Sequence, residues 1–306
     1  MDKFIVSSSP HIKDRSRTYR IMLDVIIALM PTAILSVYYF SYVAALIIVT
    51  SVSSCVLFEY LFNLIAKKKH SETDLSCVVT GLILALNMPP LKSSILLSII
   101  GAFIAIVVVK MLFGGIGQNI FNPAAAARIF LTASFSSLMT VYVAPFSDGV
   151  TSATPLVLVN NGNMPTYLDM FLGKTAGSLG ETAAVTLIAG GIYLMIRKVI
   201  SWEIPVTYIG TVALLSFVFG QDLLFSILAG GLMIGAIYMA TDYTTSPMTR
   251  SGKFIFAAGL GLMTASIRRF GSNTEGVAYS LLFMNALVPL IDRFTTVKTF
   301  GKVKKK

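Results

Sequence analysis

Long apolar runs alternate with short polar or Pro/Gly-punctuated stretches along almost the whole chain. Ten runs stand out, at about 21–40, 42–66, 74–89, 93–113, 123–140, 182–197, 205–220, 222–240, 253–267 and 276–294. A bilayer-spanning helix needs about 20 apolar residues with few charges, so the pattern predicts an all-α polytopic membrane protein with about ten transmembrane helices. The first nineteen residues are polar and basic and the first apolar run is already of span length, which predicts a cytosolic arm over 1–20 rather than a cleaved leader. The remaining division is a membrane repeat over 21–140, an outer-face loop over 141–181, a second membrane repeat over 182–295 and a basic tail over 296–306.

Composition supports this reading and narrows it. Hydrophobic residues make up 55% of the 306 and charged ones only 12%, about half the charge of an ordinary soluble domain, so a single water-soluble globule is excluded. The net charge of +10 is gathered in short clusters between the apolar runs, a poor footprint for nucleic acid and a good one for topology. With a cytosolic N-terminus, Lys67 to Lys69, Arg197, Lys198, Arg250, Lys253 and the tail from Arg293 fall inside. Only Lys92, Lys174, Arg268 and Arg269 fall outside. That asymmetry predicts that both termini are cytosolic. Cys55 and Cys77 lack a paired spacing, and His11 and His70 flank helices, so neither a disulfide framework nor a metal site is predicted.

The two halves repeat each other loosely. Asp74-Leu75 leads through Gly81-Leu82-Ile83 to Pro89-Pro90, and a further span ends in Gly117-Gln118-Asn119; Asp222-Leu223 leads through Gly231-Leu232-Met233 to Ser246-Pro247, and the next span ends in Gly271-Ser272-Asn273. Five helices in each half would give two repeats of inverted topology, because an odd number makes the second half enter from the opposite side. Interrupted helices in such folds line a site where protein or a cavity satisfies the unwound backbone. The interrupted stretches here are 87–90, 114–123, 241–247 and 268–273.

The outer loop holds Asp148-Gly149-Val150-Thr151-Ser152-Ala153-Thr154-Pro155-Leu156. By physics alone this is an acidic, turn-prone start followed by hydroxyls that either bond their own backbone or stand as a sterically open acceptor for a phosphate-bearing group. At these residues the sequence resembles the signal at which a flavin transferase joins FMN through its phosphate to the last threonine. With Gly117-Gln118-Asn119-Ile120-Phe121-Asn122-Pro123-Ala124 and the run from Glu275 to Ala286, the chain is similar to the D subunit of the Rnf ion-translocating electron-transport complex. It is more distantly similar to the B subunit of the sodium-pumping NADH:quinone oxidoreductase. The fold resembles that of urea transporters, which keeps open an alternative reading as a small-solute channel or transporter.

The resemblance implies a multi-pass subunit of the bacterial cytoplasmic membrane, not catalytic alone, within a complex that passes electrons from ferredoxin to NAD while moving sodium ions or protons. It implies covalent FMN on Thr154, with Asp148, Thr151, Ser152 and Ala153 completing the attachment signal, and a non-covalent riboflavin in the membrane part. The implied partners are the other complex subunits, among them a second covalent-FMN subunit, the flavin transferase during maturation, and membrane lipid; nucleic acid is not among them. Asn119 and Asn122 are the residues whose amides suit an isoalloxazine edge, with helix capping as the competing role. Glu59 and Asp242 are ion-pathway candidates, since intramembrane acids are functional candidates by default; pairing with Lys67 or Arg250 is the alternative. Asp242 with Thr241 and Thr245 would make an oxygen set for a hard cation. Arg268 and Arg269 either face a phosphate or snorkel to outer headgroups.

Overall fold

The computed structural model describes residues 18–67, 74–146, 151–152, 155–156, 165–181, 184–271 and 276–296. Among them the chain is mainly helical, and each of the ten predicted runs contains a helix. Helix α1, Thr18–Ala66, has 49 residues, which at 1.5 Å per residue would be about 74 Å long, far beyond a hydrocarbon core of about 30 Å. Ser41 resolves the excess: its φ of 56° and ψ of −147° break the helix into two arms at the boundary predicted between 40 and 42. Helix α2 is Ser76–Leu86 and α3 is Ser93–Phe103, continuing as a π-helical stretch, Ile104–Met111.

Pro123 opens α4, Pro123–Ser134, with Asn122 as its N-cap, and the single turn α5, Ser136–Met139, follows it. The loop over 141–181 contributes a short antiparallel pair, β1 (Tyr142–Val143) with β2 (Thr151–Ser152), and α6 (Tyr167–Leu172). The second half comprises α7 (Ala184–Ile196), α8 (Glu203–Val218), α9 (Leu223–Leu228), α10 (Leu232–Ile234) running into a second π stretch (Gly235–Met239), α11 (Arg250–Phe270) and α12 (Gly276–Thr295). Among the described residues, three helical segments are long and apolar enough to cross a membrane: Thr18–Ala66, Ser93–Met111 and Gly276–Thr295. With several shorter apolar helices beside them, they fit a membrane protein.

Small residues let the helices approach, as they must where lipid supplies no hydrophobic drive for helix association. A Cβ at Gly81 of α2 would lie 2.8 Å from Val52 Cα of α1, and Ser51 Oγ donates to Gly81 O across the same contact at 2.8 Å. In the second half a Cβ at Gly261 of α11 would lie 2.5 Å from Thr211 Cβ of α8, and the hydroxyls of Tyr208 and Thr264 bond at 2.7 Å beside it.

The run predicted as one helix over 222–240 is broken. Gly230 and Gly231 adopt φ of 67° and 65°, a conformation open to glycine at no steric cost, and separate α9 from α10. Arg268 explains how the break is tolerated. Its guanidinium donates to Ser226 O at 2.7 Å, Ala229 O at 2.8 Å and Gly230 O at 3.1 Å, supplying the carbonyls that α9 leaves at its end. Beside the two roles considered for Arg268, the structure thus gives it a third, capping the end of a broken helix. Its neighbour Arg269 is exposed at the end of α11.

The loop over 141–181 folds back into the helical body through its last described residues. Gly180 N donates to Leu86 O at 2.6 Å and Leu179 N to Met88 O at 3.0 Å, so residues 179–180 satisfy the unwound end of α2. Ser36 Oγ of α1 donates to Leu179 O at 2.6 Å, and Tyr39 OH to Leu172 O at 2.8 Å. Farther out, Phe146 packs edge-on against Tyr38 and Tyr39.

Candidate functional site

The break after α3 builds one wall of a mostly apolar cavity. Gly114, Gly115 and Gly117 all take positive φ, at 126°, 102° and 85°, which lets the chain leave the π stretch and turn back into α4 over 112–122. That turn sets Asn119 and Asn122 beside the second-half break that follows Met239. The cavity between them has a volume of about 420 Å³, within the usual range for small-molecule sites. Apolar side chains such as Met22, Ile83 and Ile237 form its sides, and Asn119, Asn122, Asp242, Thr244 and Lys110 supply the polar positions.

Both predicted asparagines are therefore brought together, and with Asp242. Asn122 caps α4, its Oδ1 accepting from Ala125 N at 3.1 Å, while its Nδ2 donates to Met239 O at 3.2 Å and ties the two breaks together. Asn119 is not a cap. Its Nδ2 donates to Phe121 O at 3.1 Å and its Oδ1 accepts from Thr244 Oγ1 at 3.0 Å. A primary amide offers two N–H groups and two lone pairs; Asn119 also donates to the Asp242 carboxylate, so Asn122 keeps one spare N–H and each amide oxygen keeps one lone pair for a ligand.

Asp242 is organised by hydroxyls. Its Oδ2 accepts from Thr244 at 3.1 Å and from Thr245 at 3.3 Å. The Thr241 hydroxyl donates to Ile237 O at 2.6 Å, and Thr241 lines the cavity with Asp242. Arg250, proposed as a partner of Asp242, instead pairs with Glu203 at 3.1 Å.

Glu59 also departs from the pairing considered for it. Its Oε2 lies 2.6 Å from Nζ of Lys110, and Lys110 donates in addition to Ser76 Oγ at 2.7 Å; both members of the ion pair are almost wholly buried. Cys55 and Cys77 are free and buried in the same region. A second buried cation, Arg128 of α4, donates to Asn87 O at 2.6 Å and Oδ1 at 3.0 Å, and reaches Glu181 at 3.5 Å. Lys110 and Arg128 are absent from the sequence-predicted residues. The signal is present in the sequence: each is a lone cation in an otherwise apolar run.

Of the predicted attachment signal, Thr151 and Ser152 form β2, in register with Val143 and Tyr142 respectively. Asp148, Ala153 and the acceptor Thr154 lie outside the described residues.

A helical membrane body with paired helix breaks around a mixed polar and apolar cavity is the class of protein that this geometry defines. Comparison with known proteins gives its family: the model for the NQR2, RnfD, RnfE family matches residues 5–301, and the chain belongs to that family. It is 44% identical to the D subunit of the Na⁺-translocating ferredoxin:NAD⁺ oxidoreductase complex of Acetobacterium woodii, over 98% of this chain and 96% of that protein. It is 42% identical to the D subunit of the proton-translocating ferredoxin:NAD⁺ oxidoreductase complex of Clostridium ljungdahlii, over 97% and 96% of the two chains. The D subunit of the ion-translocating oxidoreductase complex of Stutzerimonas stutzeri is 34% identical, over 94% and 93%.

Proposed function

We propose that the chain is the D-type membrane subunit of an ion-translocating ferredoxin:NAD⁺ oxidoreductase complex, carrying FMN on Thr154 and riboflavin in the cavity between the helix breaks. The observation that carries this reading is the attachment signal ending at Thr154, set in a chain that aligns almost end to end with the corresponding subunits of two such complexes. In this reading the ten helical segments span the cytoplasmic membrane of a bacterium as two inverted sets of five, both termini face the cytosol, and the loop over 141–181 lies outside. The other subunits of the complex, including a second covalent-FMN subunit, supply the ferredoxin and NAD chemistry, and a flavin transferase completes maturation.

The lining of the cavity supports the riboflavin part of this reading. Thr151 and Ser152 of the signal lie in the extended backbone of the β1–β2 pair. In the cavity, the spare N–H of Asn122 and the remaining carbonyl lone pairs of Asn119 and Asn122 suit the mixed edge of an isoalloxazine ring, and the apolar sides exclude water from it. A bound flavin supplies one- and two-electron transfer, while the protein supplies placement and tuning of potential.

Asp242 is the stronger ion-pathway candidate of the two acids, because its carboxylate lines the cavity whereas Glu59 is tied to Lys110. The coupling ion is open in this reading, since relatives of 44% and 42% identity are named for sodium ions and for protons respectively. The test is Thr154→Ala in the native complex. The reading expects loss of in-gel flavin fluorescence from this subunit with the subunit still assembled; fluorescence unchanged in the variant would overturn it.

A further inference from the structure

Lys110 is 3% exposed, and a charge placed so deep in an apolar body persists only with its hydrogen bonds met. An ammonium has three donors. Glu59 Oε2 takes one and Ser76 Oγ the second, leaving one with no protein acceptor among the described residues. Lys110 and Ser76 line the 420 Å³ cavity, and Glu59 does not. The ion pair is therefore a dipole whose positive end is presented to the cavity and whose negative end is withdrawn behind it.

The backbone is built around this placement. Lys110 sits at the end of the π-helical stretch Ile104–Met111, where Leu112 N bonds back to Val107 O and Gly115 N to Lys110 O. Such wide turns shift the helical register and occur often at functional sites. Across the cavity stand Asn119 and Asp242, whose amide and carboxylate are already engaged by Thr244. A ligand filling the space thus meets a cationic donor on the α3 wall, and on the other the amides together with the Asp242 carboxylate, whose oxygens are held by Thr244, Thr245 and Asn119.

We propose that Lys110 is a positioning residue for the cavity ligand, donating its remaining N–H to an acceptor atom on the edge of the flavin ring, and that the Glu59–Lys110–Ser76 triad raises the reduction potential of that flavin. This rests on the reading of the cavity as the riboflavin site. A flavin ring gains negative charge as it takes up electrons, so a fixed positive donor in a medium of low dielectric favours the reduced form. Ser76 and Glu59 act through Lys110 by fixing where its ammonium points.

The experiment uses the assembled complex, comparing wild type with Lys110→Met/Glu59→Gln, which removes both charges together and leaves no unpaired carboxylate, and with Lys110→Arg. Two quantities are read: non-covalent riboflavin per covalently bound FMN after gel filtration, and the midpoint of the riboflavin absorbance in a redox titration. The double variant is expected to retain riboflavin at least tenfold more weakly, or to hold it with a reduction equilibrium lowered at least tenfold, which is about 59 mV for a one-electron step. Lys110→Arg is expected to restore most of either loss. Should the double variant not assemble, Ser76→Ala keeps the ion pair and removes one anchor, and is expected to move the same readouts about threefold.

An assembled double variant with wild-type riboflavin content and midpoint overturns the role of Lys110. Unchanged readouts in Ser76→Ala do the same. If the wild-type complex itself releases no riboflavin on denaturation, the assignment of the cavity fails, and this inference fails with it; the two failures are thus told apart by the wild-type control.

Discussion

Replacing Arg128 by Met tests how the interrupted end of α2 is held. The guanidinium is 6% exposed and makes two bonds to Asn87, at 2.6 and 3.0 Å, besides its contact with Glu181 at 3.5 Å. Methionine fills much of the volume but offers no donor, so Asn87 O loses a charge-assisted bond and Glu181 keeps a buried carboxylate without this cation. Breaking a buried pair by removing one partner costs about 3–5 kcal/mol. The Glu181 contact is long, so the lower end, about 3 kcal/mol, is the expected loss, a factor on the order of 10² in the folding equilibrium. The assay is reversible unfolding of the detergent-solubilised subunit in mixed micelles. Adding Glu181→Gln to Arg128→Met removes the charge that Arg128 had faced, and the double variant is expected to recover at least about 1 kcal/mol relative to the single one, a coupling that a mutant cycle isolates. Arg128→Met with parental stability, or strictly additive effects of the two substitutions, would refute the account of this network.

Other outcomes follow from local geometry. Gly81→Ala and Gly261→Ala each place a methyl against a neighbouring helix, at 2.8 Å from Val52 Cα and 2.5 Å from Thr211 Cβ; each is expected to cost about 1–3 kcal/mol in the same unfolding assay, and Gly210→Ala, where nothing lies within 4 Å, to cost little. Asp222→Ala removes the N-cap bond to Phe225 N and the acceptor of the Tyr167 hydroxyl, with an expected loss of about 1 kcal/mol. Asn119→Ala with Asn122→Ala is expected to empty the cavity of riboflavin while covalent FMN stays stoichiometric, as read from extracted flavin. Asp242→Asn is expected to slow ion uptake into vesicles while electron transfer persists; unimpaired pumping would remove Asp242 from the pathway.

Much of the helical plan is legible in the hydrophobic runs, because lipid and core impose the same demand for apolar segments of fixed length. The boundary at Ser41 follows from a polar residue between two runs of span length. The break at Gly230-Gly231 escapes the pattern because the flanking residues are as apolar as a continuous helix, and only the adjacent glycines mark it. The site is half legible. Asn119, Asn122 and Asp242 lie next to Gly- and Pro-rich punctuation, which singles them out, and the structure gathers them at one cavity. Lys110 and Arg128 lie inside apolar runs, away from any such punctuation. Intramembrane cations mark functional or structural networks as much as acids do, and a buried Glu59 already demands a cation that Lys110 supplies. Which loop docks on which broken end, as 179–180 does on α2, is a long-range fact that no local pattern carries.

The central claim is tested most directly by mass spectrometry of the peptide spanning 141–181, taken from native membranes of cells whose complex is active. The account predicts that Thr154 carries FMN through a phosphoester bond. An unmodified Thr154 in working complex would contradict it.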